Sequence, residues 1–354
     1  MRYHDITITG IGTHLGQHVR TPPLVRNGLL SEADARTTHQ RGVCVATQPG
    51  PDLAVAAARN AIRAHQAITG APPRIGLHLH AAMHPNPDGW ATASYVLNQL
   101  GIPDSGMAVD LGGTANGGVL AIDIAASILA ARPDASSALI SCGDRFGNNQ
   151  FHRYSADHDV LFGDSGAALI LSHAPEASGV SSIAELVATT SYTDPSLDGF
   201  THGLPPVTAA ADRAAEPVDI RARKKAWLDT NGGMQELLRR TTIGVTRTTN
   251  AVLADAGLDL GDVSWVLCPL IGTDAVDAHW LRPLDVSPNR TLSQLGLDIG
   301  HLGAADQIVG LHHLLATHQA NCLSRGDHVL LVSSGAGMTW SAAVLHITAE
   351  LGDR

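Results

Sequence analysis

The sequence predicts an α/β fold in which one motif of alternating strands and helices is used twice. Of the 354 residues, 44% are hydrophobic and only 4% are aromatic, a composition that suits closely packed layers of helices on a sheet. Apolar runs of strand length alternate with helical patterns, and no low-complexity linker divides the chain. We therefore expect two similar halves, residues 1–172 and residues 173–354.

The N-terminal half shows the alternation most clearly. Apolar spacing predicts helices over 52–66, 90–100 and 119–131. Strands of the half are predicted over 6–11, 74–80, 107–111, 138–142 and 165–172. A polar loop over 145–159 separates the last two strands.

The C-terminal half repeats this order. Strands are predicted over 183–189, 263–267 and 328–333, and helices over 234–256 and 301–319. Residues 191–216 are rich in Asp, Pro, Gly and Ala and carry no periodic pattern. We expect an insertion over about 191–232 that forms the mouth of a site.

Charge and cysteine usage exclude several classes of protein. The formal net charge of −10 argues against binding to a nucleic-acid backbone. No apolar run approaches the roughly 18 residues of a membrane span, and no leader precedes the first strand, so we expect a cytoplasmic protein without a membrane anchor. The four cysteines are far apart and form no CxxC pair, which is typical of small buried hydrophobes in a reducing compartment.

Residues 109–118, Val-Asp-Leu-Gly-Gly-Thr-Ala-Asn-Gly-Gly, predict a strand–turn–helix elbow. Such an elbow presents one side chain at a helix N-terminus, where the dipole and the N–H groups stabilise a thiolate and an oxyanion. The residue in that position is Ala115, and a methyl group cannot attack a carbonyl.

Four segments resemble β-ketoacyl synthase III and its thiolase-superfamily relatives. Residues 160–171, VLFGDSGAALIL, resemble the family's FGDGAGA segment, and residues 330–343, LLVSSGAGMTWSAA, resemble its closing GxGxTWGA segment. Residues 52–59 are similar to its DLAVEAAR helix, and Trp265 begins a stretch similar to its WxxPHQAN strand. The resemblance covers nearly the whole chain and implies the five-layer αβαβα thiolase-like fold, with two pseudo-symmetric halves, and a homodimer.

The resemblance also shows where this chain departs from a condensing enzyme. The family's cysteine nucleophile falls on Ala115, its histidine on Pro269, and its asparagine on His301. Decarboxylative condensation needs two neutral donors that hold an enolate oxygen. The chain offers one histidine in that pattern, so carbon–carbon bond formation is in doubt.

His301 and Asp306 offer a different chemistry. We expect the turn at 300–303 to open a helix, with His301 at its start and Asp306 about one turn inside. A carboxylate in that place fixes the imidazole tautomer and leaves the other ring nitrogen as a general base. The pair supplies two thirds of a nucleophile–His–Asp triad for acyl transfer to oxygen or nitrogen.

This pattern resembles the Cys/Ser-His-Asp branch of ketosynthase III-like acyltransferases in antibiotic and polyketide biosynthesis. The resemblance implies a malonyl-type or methylsalicyl-type acyl group, donated by acyl-CoA or by the acyl-phosphopantetheine of an acyl carrier protein. It implies a sugar, an aminocyclitol or a carrier protein as acceptor, and no tightly bound cofactor. The oxyanion donors would be the N–H groups of Ala115 and of the Gly335-Ala336 turn. A decarboxylating β-ketoacyl synthase III for chain initiation and a naturally non-catalytic partner subunit remain alternatives.

The remaining candidates are residues that could bind substrate. Candidate contacts to the phosphates of CoA or of a carrier protein are the basic residues Arg221, Arg223, Lys224 and Lys225. Candidate substrate contacts are Trp90, Asn116, Arg153 and Trp280. His78, His80 and His84 alternate like ligands, but no carboxylate or cysteine lies close by in the sequence, so we predict no metal site.

Two interpretations of position 115 stay open. In the first, a natural cysteine or serine has been replaced by alanine, which would trap substrate unreacted. In the second, the protein naturally lacks the nucleophile and transfers the acyl group directly or serves as a partner subunit.

Overall fold

A nine-stranded mixed sheet with helices on both faces forms the centre of the molecule. The computed structural model describes residues 1–84, 89–103, 105–112, 114–132, 137–148, 151–158, 160–173, 181–203, 217–316 and 323–349. The strands are β1 (Ile6–Leu15), β2 (Gln17–Arg20), β3 (Gly42–Val45), β4 (Ile75–Ala81), β5 (Met107–Leu111), β6 (Ser137–Asp144), β7 (Gly147–Asn148), β8 (Phe151–His152), β9 (Ser165–His173), β10 (Ala184–Thr193), β11 (Val263–Leu267), β12 (His328–Gly335) and β13 (Thr339–Ile347).

The α-helices vary from single turns to more than six turns. They are α1 (Thr21–Arg26), α2 (Glu32–Thr38), α3 (Gly50–Thr69), α4 (Thr92–Leu100), α5 (Gly117–Ala131), α6 (Gly199–His202), α7 (Ile220–Thr230), α8 (Gly233–Ala256), α9 (Thr273–Val276), α10 (Arg282–Leu284), α11 (Ser293–Ile299) and α12 (Asp306–Ala316). A π-helical turn over Asp277–Leu281 joins α9 to α10.

The central sheet consists of two groups of strands with the same pairing pattern. Its order is β11-β12-β13-β10-β1-β9-β6-β4-β5. In one group β1, β9 and β6 pair antiparallel and β6, β4 and β5 pair parallel. In the other, β10, β13 and β12 pair antiparallel and β12 pairs parallel with β11. The groups meet where β1 pairs with β10, and the repeated pattern agrees with two similar halves; the boundary at 172/173 stays a prediction.

Alternating side chains place the groups in five layers. Along β12, Val329 and Leu331 belong to a core that includes α5 and α12, while Leu330 and Val332 belong to a core against α8, as the period of a strand requires. Helix α3 covers the outer face of the first group. The two strand groups of the central sheet therefore lie on opposite sides of α5 and α12, with α3 and α8 on the outer faces. The layers follow the order helix, strand group, helix, strand group, helix, which confirms the predicted α/β class.

Helix α5 lies at the centre and is apolar on nearly every side. Val119, Ile122, Ala125 and Leu129 are fully buried between the two sheet groups, and a helix that is apolar all round belongs in such a place. By length and composition alone, the segment Thr114–Ala131 would be long and apolar enough to cross a membrane. Its packing inside the core accounts for that composition.

The structure differs from the sequence prediction at several element boundaries. Helix α12 begins at Asp306, five residues later than predicted, because a 3₁₀ turn over Gly303–Ala305 precedes it. Residues 317–319 of the predicted helix lie outside the described residues. Strand β13 and helix α7 were not predicted, and neither were the short elements β2, β3, β7, β8, α1, α2, α6, α9, α10 and α11. The expected insertion over 191–232 contains the end of β10, α6 and α7, and its residues 204–216 lie outside the described part.

Candidate active site

The elbow around position 115 forms a tight junction between β5 and α5. A 3₁₀ turn over Thr114–Asn116 connects the two elements. A Cβ at Gly118 would lie 2.3 Å from the carbonyl oxygen of Ala304, so only glycine permits this approach. The glycine thereby brings the elbow against the turn that follows His301.

The backbone of the elbow is also tied to the turn between β12 and β13. Thr114 has φ +49°, an outlying conformation for a β-branched residue. Its Oγ1 accepts a hydrogen bond from the N–H of Ala336 at 2.5 Å, and the Ser333 hydroxyl donates to the carbonyl of Ala115 at 3.2 Å. The Ala336 N–H, predicted as an oxyanion donor, is thus engaged by a side chain.

His301 and Asp306 form a buried hydrogen-bonded pair. His301 Nδ1 lies 2.6 Å from Asp306 Oδ2, and the two side chains are 6% and 1% exposed. The backbone N–H groups of Leu270 and Leu302 each donate to the Asp306 carboxylate at 2.7 Å. Because the carboxylate only accepts, Nδ1 carries a hydrogen and Nε2 is the basic nitrogen.

The surroundings of His301 make its imidazole more basic than an ordinary histidine. Burial is the strongest influence on the pKa of His301 and lowers it, but the charge and hydrogen bond of Asp306, with the charges of Asp144 and Asp157, outweigh burial and raise the pKa. An imidazole of this kind is suited to accept a proton from a reacting group.

Asp144 is a buried site residue that the sequence analysis missed. Its carboxylate accepts hydrogen bonds from the N–H groups of Met83, His84 and Ala304 at 3.0, 2.8 and 3.1 Å. It therefore fixes the turn after β4 against the turn before α12. Its place after an apolar strand was a signal, since carboxyl ends of strands position site residues.

A cavity of about 560 Å³ opens beside the elbow and the His–Asp pair. Ala115, Thr114, His301, Gly335 and Ala336 form one part of its wall. Aromatic side chains that line the cavity are Phe151, Phe162, Phe200, Trp280 and Trp340. The volume lies in the range of sites for small organic ligands, and its walls favour an apolar or flat group.

Two polar pairs also line the cavity. The Lys224 ammonium lies 2.6 Å from Asp157 Oδ2 and 5.4 Å above the Phe200 ring. His279, in the π-helical turn, has Nδ1 3.3 Å from the Thr241 hydroxyl, and burial, with a smaller effect of Lys224, lowers its pKa. Sequence reasoning missed His279, Thr241 and Asp157, because no local motif marks them.

The structure places the predicted substrate-binding residues in different surroundings. Trp280 is buried in the cavity wall, in agreement with its predicted place. Asn116 is not among the lining residues of the cavity, and its side-chain amide donates to the Ser341 hydroxyl at 2.9 Å. Arg153 is buried and pairs with both oxygens of Asp164 at 2.8 Å. These contacts engage the side chains of Asn116 and Arg153 within the protein, and their predicted substrate contacts stay a prediction.

Trp90 also lies away from the predicted place. It is 42% exposed, packs against Tyr95 with ring centroids 5.1 Å apart, and is not part of the cavity wall. The reason is that α4 begins at Thr92 and leaves Trp90 on the outer surface.

The basic cluster is divided between the cavity and the surface. Arg223 and Lys224 line the cavity. Arg221 donates to Asp34 and to the carbonyl of Asp157, and Lys225 pairs with Asp229 on the exposed side of α7. The phosphate role stays a prediction, and it is compatible with Arg223 and Lys224 more than with Lys225.

The described histidines and cysteines provide neither a metal site nor another nucleophile. Among the described residues, no group of three or more His, Cys, Asp or Glu side chains could hold a metal ion. His78 and His80 both bond the Ser141 hydroxyl at 2.9 Å. Burial raises the pKa of Cys44 to about 11 and that of Cys268 to about 12, so these thiols stay protonated near pH 7. Cys322 lies outside the described residues.

Comparison with known proteins supports the likeness seen in the motifs. The family profile described as 3-Oxoacyl-[acyl-carrier-protein (ACP)] synthase III C terminal matches residues 253–347. The β-ketoacyl-[acyl-carrier-protein] synthase III of Sphingopyxis alaskensis is 28% identical over 305 residues, which are 85% of each chain.

Solved structures resemble the chain along its whole length. The structure of ChlB3, described as an acyltransferase, aligns with a TM-score of 0.86 and 30% identity, and the alignment covers 98% of this chain and 99% of ChlB3. The 3-oxoacyl-(acyl carrier protein) synthase III of Pseudomonas aeruginosa PAO1 aligns with a TM-score of 0.77 and 22% identity, over 98% of this chain and 99% of that one. The second likeness supports the fold alone.

Proposed function

We propose that this chain, which belongs to the ketosynthase III-like family of the thiolase superfamily, serves acyl transfer from a thioester to a hydroxyl or an amine. The observation that carries the proposal is the His301–Asp306 pair, joined at 2.6 Å, in which His301 lines the same cavity as Ala115. A base positioned by a carboxylate deprotonates an incoming O–H or N–H. A single base of this kind does not supply the two neutral hydrogen-bond donors that an enolate oxygen requires.

Decarboxylative condensation is less well supported by this site. Pro269, at the place of the family's histidine, lines the cavity and has neither a side-chain donor nor a backbone N–H. Burial lowers the pKa of His301, the other candidate, but the Asp306 carboxylate and two further carboxylates raise it overall, which makes the imidazole a stronger base. The site therefore favours proton removal from an acceptor over stabilisation of an enolate.

The proposed donor is an acyl-CoA or an acyl-phosphopantetheine on a carrier protein. Arg223 and Lys224 at the cavity wall are suited to the phosphates of either donor. The aromatic lining accepts a malonyl-type or a methylsalicyl-type group, as in the branch that the motifs resemble, and a sugar, an aminocyclitol or a carrier protein would be the acceptor. The likeness to ChlB3, which is described as an acyltransferase, supports acyl transfer over condensation.

The residue at position 115 decides whether this chain can form an acyl-enzyme. A cysteine there would attack the thioester carbonyl, form a new thioester, give up its proton and release the CoA thiol. The acceptor, deprotonated by His301, would then attack this thioester and take the acyl group, and the cysteine sulfur would leave and regain the proton from His301. Alanine removes this route, while the cavity and the base remain. We propose that the chain binds its donor without forming an acyl-enzyme, as expected of a nucleophile-to-alanine variant.

We also propose a cytoplasmic homodimer. Strand β5 forms one edge of the central sheet, and its residues alternate between partly buried and exposed. An exposed sheet edge is a site where a second chain can pair.

The test restores the nucleophile. The Ala115→Cys variant is incubated with acetyl-CoA, malonyl-CoA and benzoyl-CoA, and intact mass spectrometry is expected to show one acyl mass on it and none on the parent. The double variant Ala115→Cys/His301→Ala is the matched control, and loss of the base should slow deacylation to an added hydroxyl or amine by about 10²–10⁴-fold.

Other outcomes would change the assignment. If no thioester acylates Ala115→Cys, the covalent mechanism is wrong. If the variant releases CO₂ from malonyl-CoA and forms a β-keto product, it is a ketosynthase. If the parent chain co-purifies in a stable complex with an active homologue, it is a partner subunit.

A further inference from the structure

We infer that the hydroxyl of Thr114 is an oxyanion donor, and that it acts in place of the Ala336 N–H to which it is bonded. This inference rests on the proposed function and concerns the same thioester carbonyl. It assigns a side chain to a role that the sequence analysis gave to backbone groups alone.

The first observation is the backbone of Thr114. Its φ of +49° is one that glycine adopts readily and that a β-branched residue avoids. Such outliers persist only where the surrounding structure determines them, and they concentrate at functional sites. Thr114 stands directly before Ala115 and lines the cavity, so the unusual conformation lies at the reacting position.

The second observation is the hydrogen bonding of the hydroxyl. Thr114 Oγ1 accepts from the Ala336 N–H at 2.5 Å, and that N–H is therefore committed. A hydroxyl that accepts one bond still has its own hydrogen to donate, and within the described part of the chain no acceptor is bonded to it. Accepting a hydrogen bond also polarises the O–H group and strengthens it as a donor.

The third observation is the position of these groups around one volume. Thr114, Ala115, Ala336 and His301 all line the same cavity. A thioester carbonyl carbon placed beside the Ala115 methyl would have the Thr114 hydroxyl and the Ala115 N–H as neighbouring donors. Neutral donors held in place before reaction are what stabilises a developing oxyanion.

The test uses the parent chain, because Ala115 leaves a bound thioester intact. Acetyl-CoA, malonyl-CoA and benzoyl-CoA labelled with ¹³C at the thioester carbonyl are the probes, and isotope-edited infrared difference spectra report the hydrogen bonds to the carbonyl. We expect binding to lower the carbonyl stretching frequency. Thr114→Val, which keeps the shape and removes the hydroxyl, should lose a large part of this shift, whereas Thr114→Ser should retain it.

A second variant separates the hydroxyl from the backbone conformation. Thr114→Gly removes the hydroxyl and relaxes the positive φ, so it should fold well. It also releases the Ala336 N–H, and a shift that this variant alone retains comes from that N–H. In the Ala115→Cys background, Thr114→Val should slow acylation by about 10²-fold, and Thr114→Ser should stay within a few-fold of the unaltered variant.

The outcomes distinguish this inference from the proposed function. A frequency shift that is the same in parent and Thr114→Val removes the role of Thr114 and leaves acyl transfer intact. An acyl adduct on Thr114 in the parent chain would make it a nucleophile and also overturn the inference. If none of the probes binds, both the inference and the proposed function fall.

Discussion

Replacement of Asp306 with asparagine should destabilise the protein in a pH-dependent way. Oδ2 accepts from His301 Nδ1 and the Leu270 N–H, and Oδ1 accepts from the Leu302 N–H. An asparagine keeps one acceptor oxygen, so its amide group must face at least one of these buried donors. An unsatisfied buried donor costs about 1–3 kcal/mol, which is the loss expected where His301 is neutral.

The loss should grow as the pH falls. In the parent the pKa of His301 is raised above the ordinary 6.5, so its stabilising contribution is complete below that value and is lost as pH rises through the folded-state pKa. Without the Asp306 carboxylate, burial lowers the pKa of His301 relative to the parent. Protonation then opposes folding, and a buried charge that loses its partner costs about 3–5 kcal/mol.

Thermal unfolding at pH 9, 7.5 and 6, at one protein concentration, measures this difference. We expect the gap between the melting temperatures of parent and Asp306→Asn to widen steadily toward pH 6. The control is Asp229→Asn, which removes an exposed partner of Lys225 and should change stability by less than about 1 kcal/mol at every pH. A gap that is constant with pH, or absent, would refute the proposed coupling of His301 to Asp306.

Two further predictions concern the framework of the site. Asp164→Asn leaves the buried Arg153 guanidinium without its two-oxygen partner, so the free energy of unfolding in urea should fall by about 3–5 kcal/mol, and a loss below 1 kcal/mol would show the pair to be unimportant. Gly118→Ala places a Cβ 2.3 Å from the Ala304 carbonyl oxygen, so it should lower the melting temperature and, in the Ala115→Cys background, slow acylation at position 115. Gly261→Ala, where a Cβ meets no atom within 4 Å, is its matched control, and equal behaviour of the two variants would contradict the packing of the elbow.

The local pattern of apolar residues was enough to predict the strands of the central sheet other than β13, and the helices α3, α4, α5 and α8. Residues 329–332 are apolar at every position, as expected of a strand that is buried on both faces, and the structure places Val329 and Leu331 on one face and Leu330 and Val332 on the other. The start of α12 was not predictable, because the Gly303–Ala305 turn depends on backbone N–H groups that donate to Asp144 and Asp306. The Asp144 carboxylate belongs to β6, and the Asp306 carboxylate lies at the start of α12, on the other side of the turn.

The sequence predicted which segments would form the site, and the tertiary structure showed different partners for several of its side chains. The sequence by itself determined the elbow, the alanine at position 115 and the presence of a His–Asp pair, because chain neighbours and short spacings create those features. Only the tertiary structure decided that Arg153 faces Asp164 and that the Ala336 N–H is bonded to Thr114. It also brought His279 and Lys224 to the same cavity. The physical reason is that side-chain direction and hydrogen-bond partners are set by groups far apart in sequence, whose positions follow from the packing of two sheet groups around α5.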